Sequence, residues 1–233
     1  MADARQPGTL ARTHEGLPGL PRGRSRLPLR AVRASQRERL LRSVIAAVSD
    51  LGYSGVTVAD IVRRARVSRA AFYAHFADKE ECFLAATGEG REIMFARLVA
   101  AARAVPSSAP DEEVLRAANR AFLAFLADEP AFARVFYIDM PAAGPQAVGR
   151  LEAASRRFVD LNRVWHQRAR ERHPDWPAVP DEAYLALAGG AAELVRSMVR
   201  AGRTDELPDL EDTLVSLHLA VLAARPWHSL KEA

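Results

Sequence analysis

Cysteine is all but missing from this sequence. Cys82 stands alone among 233 residues, which excludes an intrachain disulfide and leaves nothing to suggest an oxidising compartment. Its thiol is expected in the core. Lysine is almost as scarce: Lys79 and Lys231 are the only two, so nearly all the positive charge is arginine. Long apolar runs are lacking too. The longest near the C-terminus, Leu214 to Ala224, is interrupted by His218 and too short to cross a bilayer, and the N-terminus has no compact apolar signal core. These absences lead to the expectation of a cytoplasmic protein with no membrane partner. No segment alternates polar and apolar residues well enough for a strand, and no repeat of solenoid period occurs.

What is present is 49% hydrophobic and 27% charged, enough apolar material for one large core or two modest ones. The net charge of +4 hides an asymmetry, because residues 1–80 hold 15 basic and 7 acidic side chains and the remainder 18 and 22. A basic first third joined to a mildly acidic remainder suits a polyanion partner for the first part and a different task for the second. Much of the excess lies in residues 1–34. There Pro18, Pro21 and Pro28 mix with Gly16, Gly19, Gly23 and Arg22, Arg24, Arg26, Arg30 without an apolar period, so a disordered arm is expected, touching DNA or nothing.

From Ser35 the pattern changes. Leu41, Val44, Ile45, Val48 and Leu51 fall at helical spacing, and Gly52 follows where a left-handed residue ends a helix. Thr57 then precedes Val58, Ile61, Val62 and Ala65 on one face, with Asp60 placed to return a capping hydrogen bond and Val56 to staple onto Ile61. Val67, Ser68 and Phe72 repeat the device, so two short helices are joined by a tight turn at Arg66 and Val67. Phe72 and Phe76, at i and i+4, give the second helix one buried face and leave Arg69, Ala70, Tyr73 and His75 on others. Asp78 with Glu81 starts the next helix. Further helices are expected at about 79–103, 111–128, 130–138, 145–172, 181–201 and 209–224, punctuated by prolines.

Two capped helices behind a packing helix, in a basic segment, form the unit that lays its second helix in the major groove of DNA. The run Thr57-Val58-Ala59-Asp60-Ile61 through Ala65-Arg66-Val67-Ser68-Arg69-Ala70-Ala71-Phe72-Tyr73-Ala74-His75-Phe76-Ala77-Asp78-Lys79-Glu80 resembles the signature of the TetR family of bacterial regulators. The resemblance is close over Ser35 to Leu84; the later helices match the family only in number and length. It implies an all-α fold: an N-terminal three-helix helix-turn-helix DNA-binding domain over 35–80, then a helical ligand-binding and dimerisation domain over 81–233. It also implies a homodimer built mainly from the last two helices. Arg66 departs from the pattern, since the family often has Gly there. A non-glycine residue at positive φ stores about 1 kcal/mol of strain or more, and a slightly different turn is the expected way out.

Roles follow for a DNA-binding set of Thr57, Ser68, Arg69, Ala70, Tyr73, His75 and Lys79. Arg69 can donate a bidentate pair to guanine O6 and N7, and Ala70 is small enough to approach a thymine methyl. The resemblance places Tyr73 and His75 beside the sugar-phosphate backbone, although Tyr73 can equally serve packing across the first helix. Thr57 and Lys79 sit at helix starts, where free N–H groups and the dipole favour a phosphate; Thr57 can also act as a cap alone. Ser68 caps the recognition helix.

Aromatic residues concentrate in the middle helices, where their commonest meaning is core. The family resemblance gives the alternative: Phe95, Phe122, Phe125, Phe136, Phe158 and Trp165 line an apolar cavity for a small effector, with Asn162 or His166 adding a polar contact. Ala188, Ala192, Val195 and Val199 on the penultimate helix and Leu214, Leu217, His218 and Val221 on the last form apolar faces for a four-helix dimer interface, or else close the monomer core. A dimer would meet an approximately palindromic operator. No cofactor, metal or catalytic residue is expected. Gly88 and Gly90 make a lone G-x-G inside a helix, and His166 and His173 are poorly spaced for a shared metal. The resulting expectation is a repressor released from its operator by a small apolar effector. The alternatives are an effector-independent regulator or activator, a helical enzyme, or an adaptor that binds RNA or membrane.

Overall fold

The computed structural model describes residues 8–11 and 28–223, and all regular structure among them is helical. A single 3-10 turn spans Thr9–Ala11. It is followed by α1 (Leu29–Gly55), α2 (Val58–Ala65), α3 (Arg69–Tyr73), α4 (Lys79–Ala104), α5 (Asp111–Asp128) and α6 (Pro130–Arg134). A π turn (Val135–Asp139) and a 3-10 turn (Met140–Ala143) continue α6. Then come α7 (Pro145–Arg172), α8 (Asp181–Arg200), a 3-10 segment (Thr204–Leu210) and α9 (Glu211–Leu222).

The chain divides into two compact units, residues 1–93 with 128–148 and residues 94–127 with 149–233. The cut inside α4 lies beyond the expected boundary near residue 80, because the segment after Asp128 packs back onto α1. The arm expected over 1–34 lies for the most part outside the described residues; where it is described, the structure is helical. α1 begins at Leu29, six residues before the expected Ser35.

In the first unit α1 is the central post. Leu40, Val44, Ala47 and Val48 are fully buried along it, and α2, α3, α6 and the π turn all touch it. Gly52, expected to end this helix, instead kinks it at φ 71°, ψ 156°, and α1 continues to Gly55 before the chain passes to α2. Cys82 is buried as expected, and burial pushes its thiol well above the ordinary value. Gly90, one half of the lone G-x-G, has a packing reason: a Cβ there would stand 2.3 Å from a ring carbon of Phe132, so the bare backbone of α4 is what admits that ring.

The Thr9–Ala11 turn is fastened to this unit by a buried carboxylate. Glu129 accepts from the backbone N–H of Thr9 at 2.8 Å, the Thr9 hydroxyl at 2.5 Å and the backbone N–H of Leu10 at 2.9 Å, while Ala11 is buried beside it. The helix expected over 130–138 is α-helical only to Arg134. The Met140 N–H then reaches back to the Val135 carbonyl, five residues away. Pro141 supplies the reason: its ring clashes with a carbonyl one α-turn back and it has no N–H to donate, so the preceding turn widens.

The second unit is built from α5, α7, α8 and α9 with the end of α4. Tyr184, Leu187 and Leu222 form a buried cluster against Val159, Trp165, Val179, Leu217 and Val221. Outside it, Glu211 accepts from Arg116 at 3.2 Å and from Arg120 at 2.7 Å, tying α5 to the start of α9.

Candidate nucleic-acid interface

The site is assembled by caps. The Thr57 hydroxyl donates to the Asp60 carboxylate at 2.6 Å and accepts from the Asp60 N–H at 3.3 Å, while the Thr57 N–H donates to the same carboxylate at 3.0 Å. This reciprocal box starts α2 at Val58, and the bonds from Thr57, more than Arg63 beside it, hold the Asp60 carboxyl below its ordinary range. Val56 and Ile61, the expected staple, are both buried. Ser68 caps α3 by accepting from the Ala71 N–H at 3.0 Å.

The turn between the two helices corrects one expectation. Arg66 sits at φ 56°, ψ 42°, squarely left-handed, with no alternative turn adopted to avoid it. Its N–H donates to the Arg63 carbonyl at 3.2 Å and the next N–H, of Val67, to the Val62 carbonyl at 3.2 Å, the paired bonds of a Schellman ending. α8 ends with the same pair of bonds around Gly202, at φ 74°, where the glycine carries no Cβ penalty. The left-handed ending that glycine takes without penalty is thus kept at Arg66 with an arginine in it.

α3 is held from behind by Phe72 and Phe76, both buried, with ring centroids 5.9 Å apart. Arg69, Ala70 and Tyr73 are exposed, Tyr73 by 51%, and Arg69 has no hydrogen-bond or ion-pair partner among the described residues. Thr57 and Ser68 are exposed at the helix starts. His75 differs from the rest. Its Nε2 is buried without a hydrogen-bond partner, and burial first, then the charges of Arg33 and Arg37, push its pKa below the ordinary value. That nitrogen faces inward and has no free tip to offer a phosphate.

Lys79 is likewise committed. Its Nζ donates to the Tyr53 and Val56 carbonyls, each at 2.9 Å, and lies 4.2 Å from the Tyr53 ring centroid. The ammonium therefore caps the open carbonyls at the end of α1 and locks the start of α4 to them. At the start of α4 itself the Glu81 N–H donates to Asp78 at 2.8 Å, and the returning Glu81 carboxylate takes the N–H of Ala77, one residue earlier than a simple box requires.

Of the residues expected around an effector, Phe95, Phe122 and Phe158 meet in the second unit, with centroids 4.7 Å and 5.3 Å from Phe158. Phe125 is buried beneath Arg97, and Trp165 donates to the Asp111 carbonyl at 3.1 Å. His166 is buried with Nδ1 2.8 Å from the Tyr184 hydroxyl, and burial lowers its pKa. Phe136 belongs to the first unit, where it stacks on Phe132. Asn162 lies 3.2 Å from His218 Nε2. His218 Nδ1 donates to the Leu214 carbonyl at 2.6 Å, and burial lowers the pKa of this ring.

The expected dimer face needs correction. Ala188, Val195, Val199, Leu214 and His218 are buried within the single chain, leaving only Ala192, Leu217 and Val221 half-exposed. An apolar stripe seeks the nearest apolar surface, and α8, α9 and their own unit supply it. The outward face of α8 carries Leu185, Ala186 and Gly189 instead. Arg30, expected in a disordered arm, lies instead on the longer α1, together with Arg33 and Arg37, which the sequence reading did not single out; the signal for that extension was the Leu29 and Val32 spacing after Pro28.

A capped, two-helix reading unit anchored on a long first helix and followed by further helices defines a helix-turn-helix protein. Residues 45–86 match the family model for bacterial regulatory proteins, tetR family. A TetR-like transcriptional regulator from Rhodococcus sp. RHA1 is 26% identical, covering 84% of this chain and 99% of its own at a TM-score of 0.62. The fatty acid degradation regulator FadR from Bacillus halodurans is 16% identical, covering 82% of this chain and 97% of its own at 0.72. FadR from Bacillus subtilis, solved with stearoyl-CoA, is 14% identical over 79% of this chain and 98% of its own at 0.69. No curated protein matches. Residues 45–86 are thus similar to the DNA-binding region of bacterial TetR-family regulators, and the chain shares the all-helical fold of these solved structures.

Proposed function

We propose that this regulator binds an approximately palindromic operator as a homodimer and represses until a small apolar effector releases it. The observation that carries the DNA-reading part is the two-faced α3: Phe72 and Phe76 buried, Arg69, Ala70 and Tyr73 exposed. Arg69 reads a guanine edge and Ala70 a thymine methyl; Tyr73 and the Ser68 hydroxyl donate to phosphates. Thr57 contributes by presenting the start of α2, its own proton being held by Asp60. Lys79 and His75 act mainly by position, Lys79 with one remaining donor toward the backbone.

Pairing through the outward face of α8 is supported by Leu185, 56% exposed, next to Gly189, where an added Cβ would meet nothing within 4 Å. Two reading heads would then meet half-sites about 34–36 Å apart or a multiple of that. Phe95, Phe122, Phe125, Phe158 and Trp165 with His166 and Asn162 form the proposed effector-facing set; Phe136, in the other unit, leaves it. The FadR likeness makes long-chain acyl thioesters the first effectors to try. Selection of bound sequences from a random duplex pool tests the reading: a recovered palindrome supports it, and failure to enrich any motif counts against it. Addition of an acyl-CoA series to the selected complex then tests release.

A further inference from the structure

We propose that the N-terminal turns of α1 form a second DNA-contacting surface, a stripe of Arg30, Arg33 and Arg37 that grips phosphates beside those next to α3. This rests on the DNA-binding reading above and extends the contact surface beyond the helix-turn-helix.

Arg30, Arg33 and Arg37 are all exposed and occupy i, i+3 and i+7 of one helix, hence one face. Arg37 is held in place, its guanidinium 5.9 Å from the Phe76 ring and 3.5 Å from the Glu89 carboxylate. Arg30 and Arg33 have no carboxylate or hydrogen-bond partner among the described residues. The charges of Arg33 and Arg37 are felt at His75, two residues past the end of α3, so the stripe begins where the reading helix stops. Like charges stacked along one face repel one another, and α1 has no acidic residue in its first turn to offset them. A polyanion laid along the stripe relieves that repulsion. At 1.5 Å per residue the stripe is on the order of 10 Å long. Duplex DNA carries one charge per ~1.7 Å of axis, which places several phosphates within its length.

The test uses the full chain, the selected operator duplex and a scrambled duplex of equal length, titrated between 50 and 200 mM salt. The Arg30→Gln/Arg33→Gln variant is expected to weaken both duplexes by the same factor. Its slope of log affinity against log salt should be shallower by about 0.9 per lost contact, which for two arginines in each of two reading heads makes the loss over that salt range on the order of a hundred-fold smaller. The Arg30→Lys/Arg33→Lys variant, which keeps both charges, should retain the wild-type slope. An unchanged slope in the glutamine variant, or weakening confined to the operator, overturns the proposal, as does a loss seen only on anionic vesicles or single-stranded RNA. If the wild-type chain shows no preference for any duplex, the operator reading fails separately, and the scrambled-duplex slope still decides the stripe.

Discussion

Arg66 is the residue at which local chemistry and local geometry disagree most. A left-handed L-residue costs roughly 1–2 kcal/mol, and part of that returns when the site becomes glycine, whose unfolded chain is looser. Arg66→Gly is therefore expected to raise stability by about 0.5–1 kcal/mol, read as a higher urea midpoint at unchanged slope. Gly90 is the converse case. Gly90→Ala drives a methyl into the Phe132 ring and should cost about 1–3 kcal/mol in the same measurement, and a neutral result would mean the ring has room to turn. Arg69→Ala should lose about 1–3 kcal/mol on the operator and less on scrambled DNA. Equal losses on both would remove its base-reading role. The buried histidines give a pH signature. His166 and His218 are held below the ordinary value of 6.5, so the unfolded chain binds more protons than the folded one just below that pH. Their contribution is complete above about pH 6.5 and declines as pH falls beneath it. Chemical denaturation between pH 5 and 8 should show that decline, and it should flatten in a His218→Gln variant.

At the scale of elements, much was legible because the signals are local. The Thr57 and Asp60 box, the Ser68 cap and the positive φ at Gly52 each involve residues a turn or less apart, and α4, α5, α7 and α8 end within a residue or so of their expected limits. What stayed hidden depends on contacts distant in sequence. Periodicity shows that Val195, Val199 and Leu214 share apolar faces, but a face carries no mark of whether its own chain or a second copy will cover it. Lys79 sits at a helix start, as expected, yet its carbonyl partners lie 23 and 26 residues earlier. The exposure of Arg69 and Tyr73 follows from the period; the inward turn of His75 does not. Lys79→Met keeps the stem and removes the donors, so the end of α1 should loosen. About 1–2 kcal/mol of stability should be lost along with an even weakening on all duplexes, and hydrogen exchange at residues 53–56 would report it.

For the whole molecule, the two compact units give one chain a reading part and a separate all-helical part that share α4. Pairing through α8 is expected to be sensitive to charge at its smallest residue: Gly189→Glu should shift the protein from dimer to monomer in sedimentation while leaving the helical signal intact. A dimer that persists would move the interface elsewhere. The docking of Thr9 and Leu10 on Glu129 has a practical corollary for anyone handling this protein. A tail that sequence composition marks as expendable supplies the three donors that keep an interior carboxylate satisfied. Shortening the chain to begin at Leu29 removes those donors and should cost about 1–3 kcal/mol. Pairing the truncation with Glu129→Leu should recover a good part of the lost melting temperature.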